Sequence, residues 1–149
     1  MVSNVSEFFE GTEFKPVIGE AVQVIDAKRV VICSGKVYFD LYEAREKNAI
    51  KGLALVRVDQ YYPFPKEQLA IELAKYPDAE VIWCQEEPKN MGAWYYINSK
   101  IEDCLISIGH KSKRAKYIGR VEAASPSAGY LKMHNVEQES FIKEAITIG

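Results

Sequence analysis

Chemistry in this sequence gathers in Val81 to Trp94, which reads Val-Ile-Trp-Cys-Gln-Glu-Glu-Pro-Lys-Asn-Met-Gly-Ala-Trp. A short apolar run of β type, Val81 to Cys84, ends in an amide, two carboxylates and a proline. In an open α/β sheet, ligands and partner surfaces meet the carboxyl ends of strands, so Gln85, Glu86 and Glu87 stand where function is expected. The plainer reading makes them a solvated loop, with Asn90 capping the helix that follows.

A second candidate is Ser34-Gly35-Lys36, between an apolar run and a helical pattern. Free N–H groups at a helix start, with a lysine beside them, suit an anion. The spacing is not that of a P-loop, which needs four residues between its glycines and a Lys-Ser or Lys-Thr ending. The plainer reading is a helix capped by Ser34 that begins with a surface lysine. A third candidate is the basic group of His110, Lys111, Lys113, Arg114, Lys116 and Arg120. It suits an acidic partner or a phosphate, or else forms a solvated strand edge. His134, a lone histidine beside a helix start, reads as a structural or capping group rather than a catalyst.

The elements that would position these residues alternate. Arg29 with Val30 to Cys33 reads as a buried parallel-type strand, and Val37, Tyr38, Leu41, Tyr42 and Arg45 then recur at helical spacing. Leu53 to Val58 is a second strand. Asp59 to Pro65 follows, aromatic-rich in Tyr61, Tyr62 and Phe64, which serve as a contact surface or as loop packing. Pro65 suits the first position of a helix striped by Leu69, Leu73 and Tyr76. Val81 to Cys84 is the third strand, and Trp94, Ile97, Ile101 and Leu105 stripe the next helix, facing a core rather than a cofactor. Ala115 to Ile118 reads as a fourth strand and Ser125 to Gly129 as a turn-rich link. Asn135 with Gln138 makes a capping-box-like start to a terminal helix.

Residues 1–19 read as an opening segment, with Phe14 to Ile18 as a possible edge strand that Pro16 keeps at the margin. Residues 20–149 form the domain. Such a beginning suggests a piece of a longer chain. The alternation argues a three-layer α/β/α fold with a mostly parallel sheet and right-handed crossovers.

Composition bounds the function. With 19 basic and 21 acidic residues the formal charge is −2, which gives no general case for nucleic acid or an anionic membrane. The apolar fraction of 48% can fill one core. No apolar run approaches the ~20 residues that span a bilayer, and the acidic start is unlike a signal peptide. Cys33, Cys84 and Cys104 show no metal-ligand spacing and read as buried thiols of a reducing compartment. There is no dinucleotide glycine fingerprint and no nucleophile with a base at readable spacing, so an autonomous enzyme is not supported.

Four blocks occur in order: Cys33-Ser34-Gly35-Lys36-Val37-Tyr38-Phe39-Asp40-Leu41, Arg57-Val58-Asp59-Gln60-Tyr61-Tyr62-Pro63-Phe64-Pro65, Trp83 to Trp94, and Ala124-Ser125-Pro126-Ser127-Ala128-Gly129. Together they resemble the carboxy-terminal domain of the E1 component of 2-oxoglutarate dehydrogenase, from about Gly11 to the end. The resemblance implies a transketolase C-terminal-like fold, a five-stranded mixed sheet with one antiparallel edge strand. It also implies a parent enzyme of the tricarboxylic acid cycle that decarboxylates 2-oxoglutarate and succinylates the lipoyl group of E2. In that family thiamine diphosphate and Mg²⁺ are held by preceding domains across a homodimer interface. Their Gly-Asp-Gly and Asn-Asn motif is absent from this sequence.

The fragment is therefore expected to lack catalysis of its own. Tyr61, Tyr62, Phe64, Gln85, Glu86, Glu87 and Trp94 are candidates for contact with the thiamine-binding domains or the dimer partner. Ser34, Gly35, Lys36, Arg57 and Arg120 are candidates for an acetyl-coenzyme A or AMP effector. A free-standing nucleotide-binding module is the alternative. The resemblance implies a cytoplasmic location in a bacterium or the mitochondrial matrix in a eukaryote.

Overall fold

The computed structural model describes residues 5, 9, 11–126 and 128–148. Much of the opening segment before Gly11, Ser127 of the turn-rich link and Gly149 lie outside the described residues. In chain order the elements are β1 (Val17–Ile18), β2 (Arg29–Cys33), α1 (Val37–Lys47), β3 (Leu53–Val58), α2 (Lys66–Ala74), β4 (Glu80–Pro88), α3 (Trp94–Ser107), β5 (Lys116–Arg120) and α4 (Leu131–Ile146). The sheet runs β1-β3-β2-β4-β5. β1 is antiparallel to β3, and every other pairing is parallel. This is the mixed five-stranded sheet with one antiparallel edge that the family resemblance implies.

Period-two alternation sorts the strand residues onto two faces. Val30, Ile32, Val56, Val58, Val81 and Trp83 pack with Leu69 and Leu73 of α2 and Ile97, Ile101 and Leu105 of α3. Val31, Cys33, Leu55, Ile82 and Cys84 pack with Val37 and Leu41 of α1 and Phe141, Ile142 and Ala145 of α4. Both faces are covered, which is why β2 and β3 read as continuous apolar runs rather than alternating ones.

The β1 edge is finished by side chains. β1 is only two residues long, with Pro16 before it, and beyond it the Glu20 carboxylate accepts the Leu55 N–H at 2.7 Å in place of a strand neighbour. Arg45 of α1 pairs with Glu20 and donates to the Leu53 carbonyl at 3.2 Å. The possible strand over Phe14 to Ile18 thus shortens to its last two residues, and Phe14 is exposed.

Several boundaries differ from those the sequence pattern suggests. β4 does not stop at Cys84 but runs on through Gln85, Glu86 and Glu87 to Pro88, so these residues are strand rather than loop. β5 lies at Lys116–Arg120 rather than Ala115 to Ile118. Pro65 sits one residue ahead of α2, at its N-cap. α4 begins at Leu131, so Asn135 and Gln138 are interior to it and form no capping box. Ser34 and Asn90 cap no helix: the residues at those helix starts are Lys36 and Ala93, and neither makes a side-chain cap bond.

Candidate functional site

β2, β3, β4 and β5 are parallel, so their carboxyl ends share one edge of the sheet. On that edge lie Ser34, Lys36, Arg57, Tyr61, Glu86, Glu87 and Arg120, while Gln85 sits just beneath it. The edge is built on Gln85, whose side chain is only 3% exposed. Its Oε1 accepts from Trp83 Nε1 at 2.9 Å and from the Trp94 N–H at 3.0 Å. Its Nε2 donates to the carbonyls of Met91 at 2.8 Å and of Glu87 and Pro88 at 3.2 Å each. One amide therefore uses all its hydrogen-bonding capacity on the turn that carries β4 into α3. Gly92 (φ +64°) closes that turn, where a Cβ would stand 2.9 Å from Gln85 Nε2. Gln85 is a buried organiser of the edge.

A polar relay crosses the edge above it. Lys36 Nζ lies 2.7 Å from Asp40 Oδ2 and 3.5 Å from Glu86 Oε1. Gln138 of α4 donates Nε2 to the same two oxygens, at 2.9 and 3.2 Å. Its Oε1 accepts from Arg120 Nη2 at 3.0 Å, and that nitrogen also meets His134 Nδ1 at 3.0 Å. A guanidinium only donates, so His134 Nδ1 is the acceptor. Glu137 Oε2 lies 3.2 Å from Arg120 Nε, which itself makes no well-aligned hydrogen bond. α1, β4, β5 and α4 are thus tied together at one edge. The Asp40 hydrogen bond, opposed by partial burial and aided by Glu86, raises the Lys36 pKa above its ordinary value.

The remaining candidates divide. Lys36 and Arg120 belong to one relay, but Arg57 does not. Its Nε donates to Asp59 at 2.9 Å and its guanidinium lies over the rings of Tyr38 and Phe39. β2 and β4 separate β3 from β5, so Arg57 and Arg120 stand three strand spacings apart, about 14 Å at ~4.8 Å each. Burial raises the Tyr61 pKa, opposed in part by the nearby Ser34. Gly35 (φ +67°) turns the chain into α1, with open space where a Cβ would stand. Tyr62 is fully displayed at 85% exposure, Tyr61 and Glu87 are exposed, and Phe64 and Trp94 are half-buried. Trp94 packs against Tyr117 with ring centroids 5.4 Å apart and the rings tilted by 54°.

The basic group does not act together. His110 is buried between the Tyr76 carbonyl and the Ser112 N–H, Arg114 pairs with Glu102, and Lys116 pairs with Glu80 at the amino end of β4. Asp40 and Gln138 are the relay members that sequence reasoning misses. The four-residue step from Lys36 to Asp40 was a usable signal for the first, whereas the bridge made by Gln138 spans 98 residues to Asp40 and leaves no local trace. Among the described residues no group of His, Cys, Asp and Glu is arranged to hold a metal ion, and the relay acids are already bridged by Lys36 and Gln138.

Fold and edge together define an open-sheet α/β domain that presents a polar relay and aromatic side chains at the carboxyl ends of its strands. The family model described as "2-oxoglutarate dehydrogenase C-terminal" matches residues 2–146, and the chain belongs to that family. It is 47% identical over 148 residues to a 2-oxoglutarate dehydrogenase E1 component of Rickettsia felis, covering 97% of this chain and 15% of that protein. It is 50% identical over 123 residues to those of Brucella anthropi and Brucella ovis, covering 81% of this chain and 12% of each. The chain thus spans about a seventh of the length of the Rickettsia felis relative.

Proposed function

We propose that this chain serves as the C-terminal domain of a 2-oxoglutarate dehydrogenase E1. The whole polypeptide would decarboxylate 2-oxoglutarate with thiamine diphosphate and Mg²⁺ and pass the succinyl group to the lipoyl arm of E2, in the tricarboxylic acid cycle of a bacterial cytoplasm. The observation that carries this reading is the 47% identity that runs through nearly all of the chain while covering 15% of the relative. Within that enzyme the domain contributes assembly rather than cofactor chemistry. It packs on the thiamine-binding domains and supports the homodimer through its carboxyl edge, where Tyr61, Tyr62, Phe64, Glu86, Glu87 and Trp94 form or border the contact surface. Among the described residues no helix is long and apolar enough to cross a membrane.

A regulatory role is the second reading, favoured by the 69% exposure of the Lys36 side chain at the start of α1 and the open space beside Gly35. An anionic effector such as acetyl-coenzyme A or AMP would have to draw Lys36 away from Asp40 and Glu86. Isothermal titration of the chain with acetyl-coenzyme A, AMP and thiamine diphosphate separates the cases. The assembly reading predicts no heat with any of them. Heat with a nucleotide alone makes the domain regulatory, or a nucleotide-binding module in its own right. Heat with thiamine diphosphate would overturn the division of labour.

A further inference from the structure

The chain has two histidines, and each uses Nδ1 as an acceptor. His110 is sealed in the fold at 1% exposure, with Nε2 2.8 Å from the Tyr76 carbonyl and Nδ1 taking the Ser112 N–H at 3.0 Å. His134 is placed differently. It is half-buried, and the group that donates to its Nδ1 is a cation, Nη2 of Arg120, at 3.0 Å. Little apolar packing holds the helix at this end. Leu131, Met133 and Val136 are exposed, and the buried apolar residues of α4 begin at Phe141, about two turns beyond His134. Ahead of Phe141, the side chains of His134, Glu137 and Gln138 all meet Arg120. The Arg120 side chain is itself only 7% exposed, and its Nε, 3.2 Å from Glu137, makes no well-aligned hydrogen bond. The hydrogen bonds from Nη2 to His134 and Gln138 are therefore what join β5 to the first turns of α4.

We infer that His134 is a proton-operated catch: neutral, it fastens the start of α4 to Arg120 of β5, and protonated, it lets go. Both ring nitrogens of a charged imidazole donate. A proton at Nδ1 thus removes the acceptor and sets one cationic N–H against another at the 3.0 Å contact. The other charged groups met by this end of α4 do not cancel that effect. Glu86 on β4 and Asp40 on α1 are shared between Lys36 and Gln138, and Glu137 on α4 lies against Arg120. An imidazolium that drew Glu137 to itself would take it from Arg120, so Arg120 loses a partner either way. Carboxylates as a class titrate near pH ~4 and lysines near ~10, which leaves histidine to change charge between about pH 8 and 5. The catch is closed at the upper end of that window and opens as pH falls. Phe141, Ile142 and Ala145 stay packed in the core, so opening is a local release of the first turns rather than unfolding. It acts on the edge that carries Lys36 and Glu86 but stands independently of the function proposed above.

The test is amide hydrogen exchange of this chain at a series of pH values from about 8 to about 5, with the intrinsic pH dependence of exchange divided out. Protection of the amides from His134 to Gln138 should fall about tenfold across that range, the scale of one hydrogen bond to a charged group. In His134→Gln the side-chain oxygen still accepts from Arg120 but takes up no proton, so protection there should hold its neutral-pH level throughout. His110 is intact in both chains, so any response of its own is common to the two and drops out of the comparison. Nitrogen NMR of the His134 ring needs no variant: Nδ1 should be the unprotonated nitrogen of the neutral ring, and its titration should share a midpoint with the loss of protection. Unchanged protection on acidification overturns the catch. So does a loss that persists in His134→Gln, or a neutral ring that carries its proton on Nδ1. Should His134→Gln be loose at every pH, the ring decides: a shared midpoint in the unaltered chain upholds the catch, and separate midpoints overturn it.

Discussion

The two edges of the sheet use the same side-chain chemistry to opposite ends. At the amino edge, Arg29 at the start of β2 reaches Glu80 at the start of β4 with its Nε and Nη2, at 2.9 and 2.6 Å. Its Nη1 donates to the carbonyls of Glu144 and Ala145 at 2.8 and 3.0 Å, closing the last turn of α4. Lys116 at the start of β5 meets Glu80 as well. His110 and Ser112 end on the carbonyls of Tyr76 and Ala79. Apart from the ion pairs to Glu80, these contacts finish in backbone groups of neighbouring elements, and the edge is closed upon itself. At the carboxyl edge the relay runs from side chain to side chain, from Lys36 through Asp40, Glu86 and Gln138 to Arg120 and His134. It is flanked by exposed aromatic and apolar groups. The first arrangement is a foundation and the second is a face, which is why function is assigned to the second.

The contrast breaks most severely at Gln85. Gln85→Glu places a carboxylate against the carbonyls of Met91, Glu87 and Pro88 and removes their donor. A loss of about 3 kcal/mol is expected, on the scale of an uncompensated buried polar group, read as a lower denaturant midpoint. A loss below about 1 kcal/mol would mean that the β4–α3 turn does not depend on this amide.

The amino edge is sharpened by pH. Hydrogen bonding from Lys116 and then Arg29, against some desolvation, holds the Glu80 pKa below its ordinary value. A depressed carboxylate contributes stability that is present above its unfolded pKa, about 4.3, and is lost as pH falls through the lower folded value. Glu80→Gln should therefore flatten the acid limb of a stability profile below about pH 5. An acid limb identical to that of the unaltered chain would show that the pairing contributes nothing to closure.

The smallest expected effect is at Lys36. Its side chain is 69% exposed, so Lys36→Ala should shift stability by less than about 0.5 kcal/mol despite its two ion pairs. In a full enzyme that responds to a nucleotide, the same change should weaken that response while leaving basal turnover near normal. An unchanged response would remove Lys36 from any effector site.

Strands and core were legible because β-branched runs bounded by turn residues carry their own signal: β2 and β3 fall where the sequence places them. Helix starts were not, and one cause recurs. Asn90 and Gln138 both read from the sequence as local capping groups, and each spends its side chain on a distant partner instead. Asn90 bonds to the Ala123 backbone at 2.9 and 3.1 Å, and Gln138 to Asp40 and Glu86. A cap competes with any tertiary hydrogen bond of similar strength, and sequence spacing reveals only the cap. The same blindness hid the relay, whose members lie on four elements. Glu86 and Lys36 were visible as residues, but their meeting was not.

The role proposed for this chain is to supply a docking edge to a decarboxylase and none of its cofactor chemistry. It is tested most directly by 2-oxoglutarate-dependent reduction of an artificial electron acceptor, with thiamine diphosphate and Mg²⁺ supplied. The account predicts background rates for the chain alone and turnover when the chain replaces the matching segment of the full-length Rickettsia felis relative. Turnover by the chain alone would contradict it.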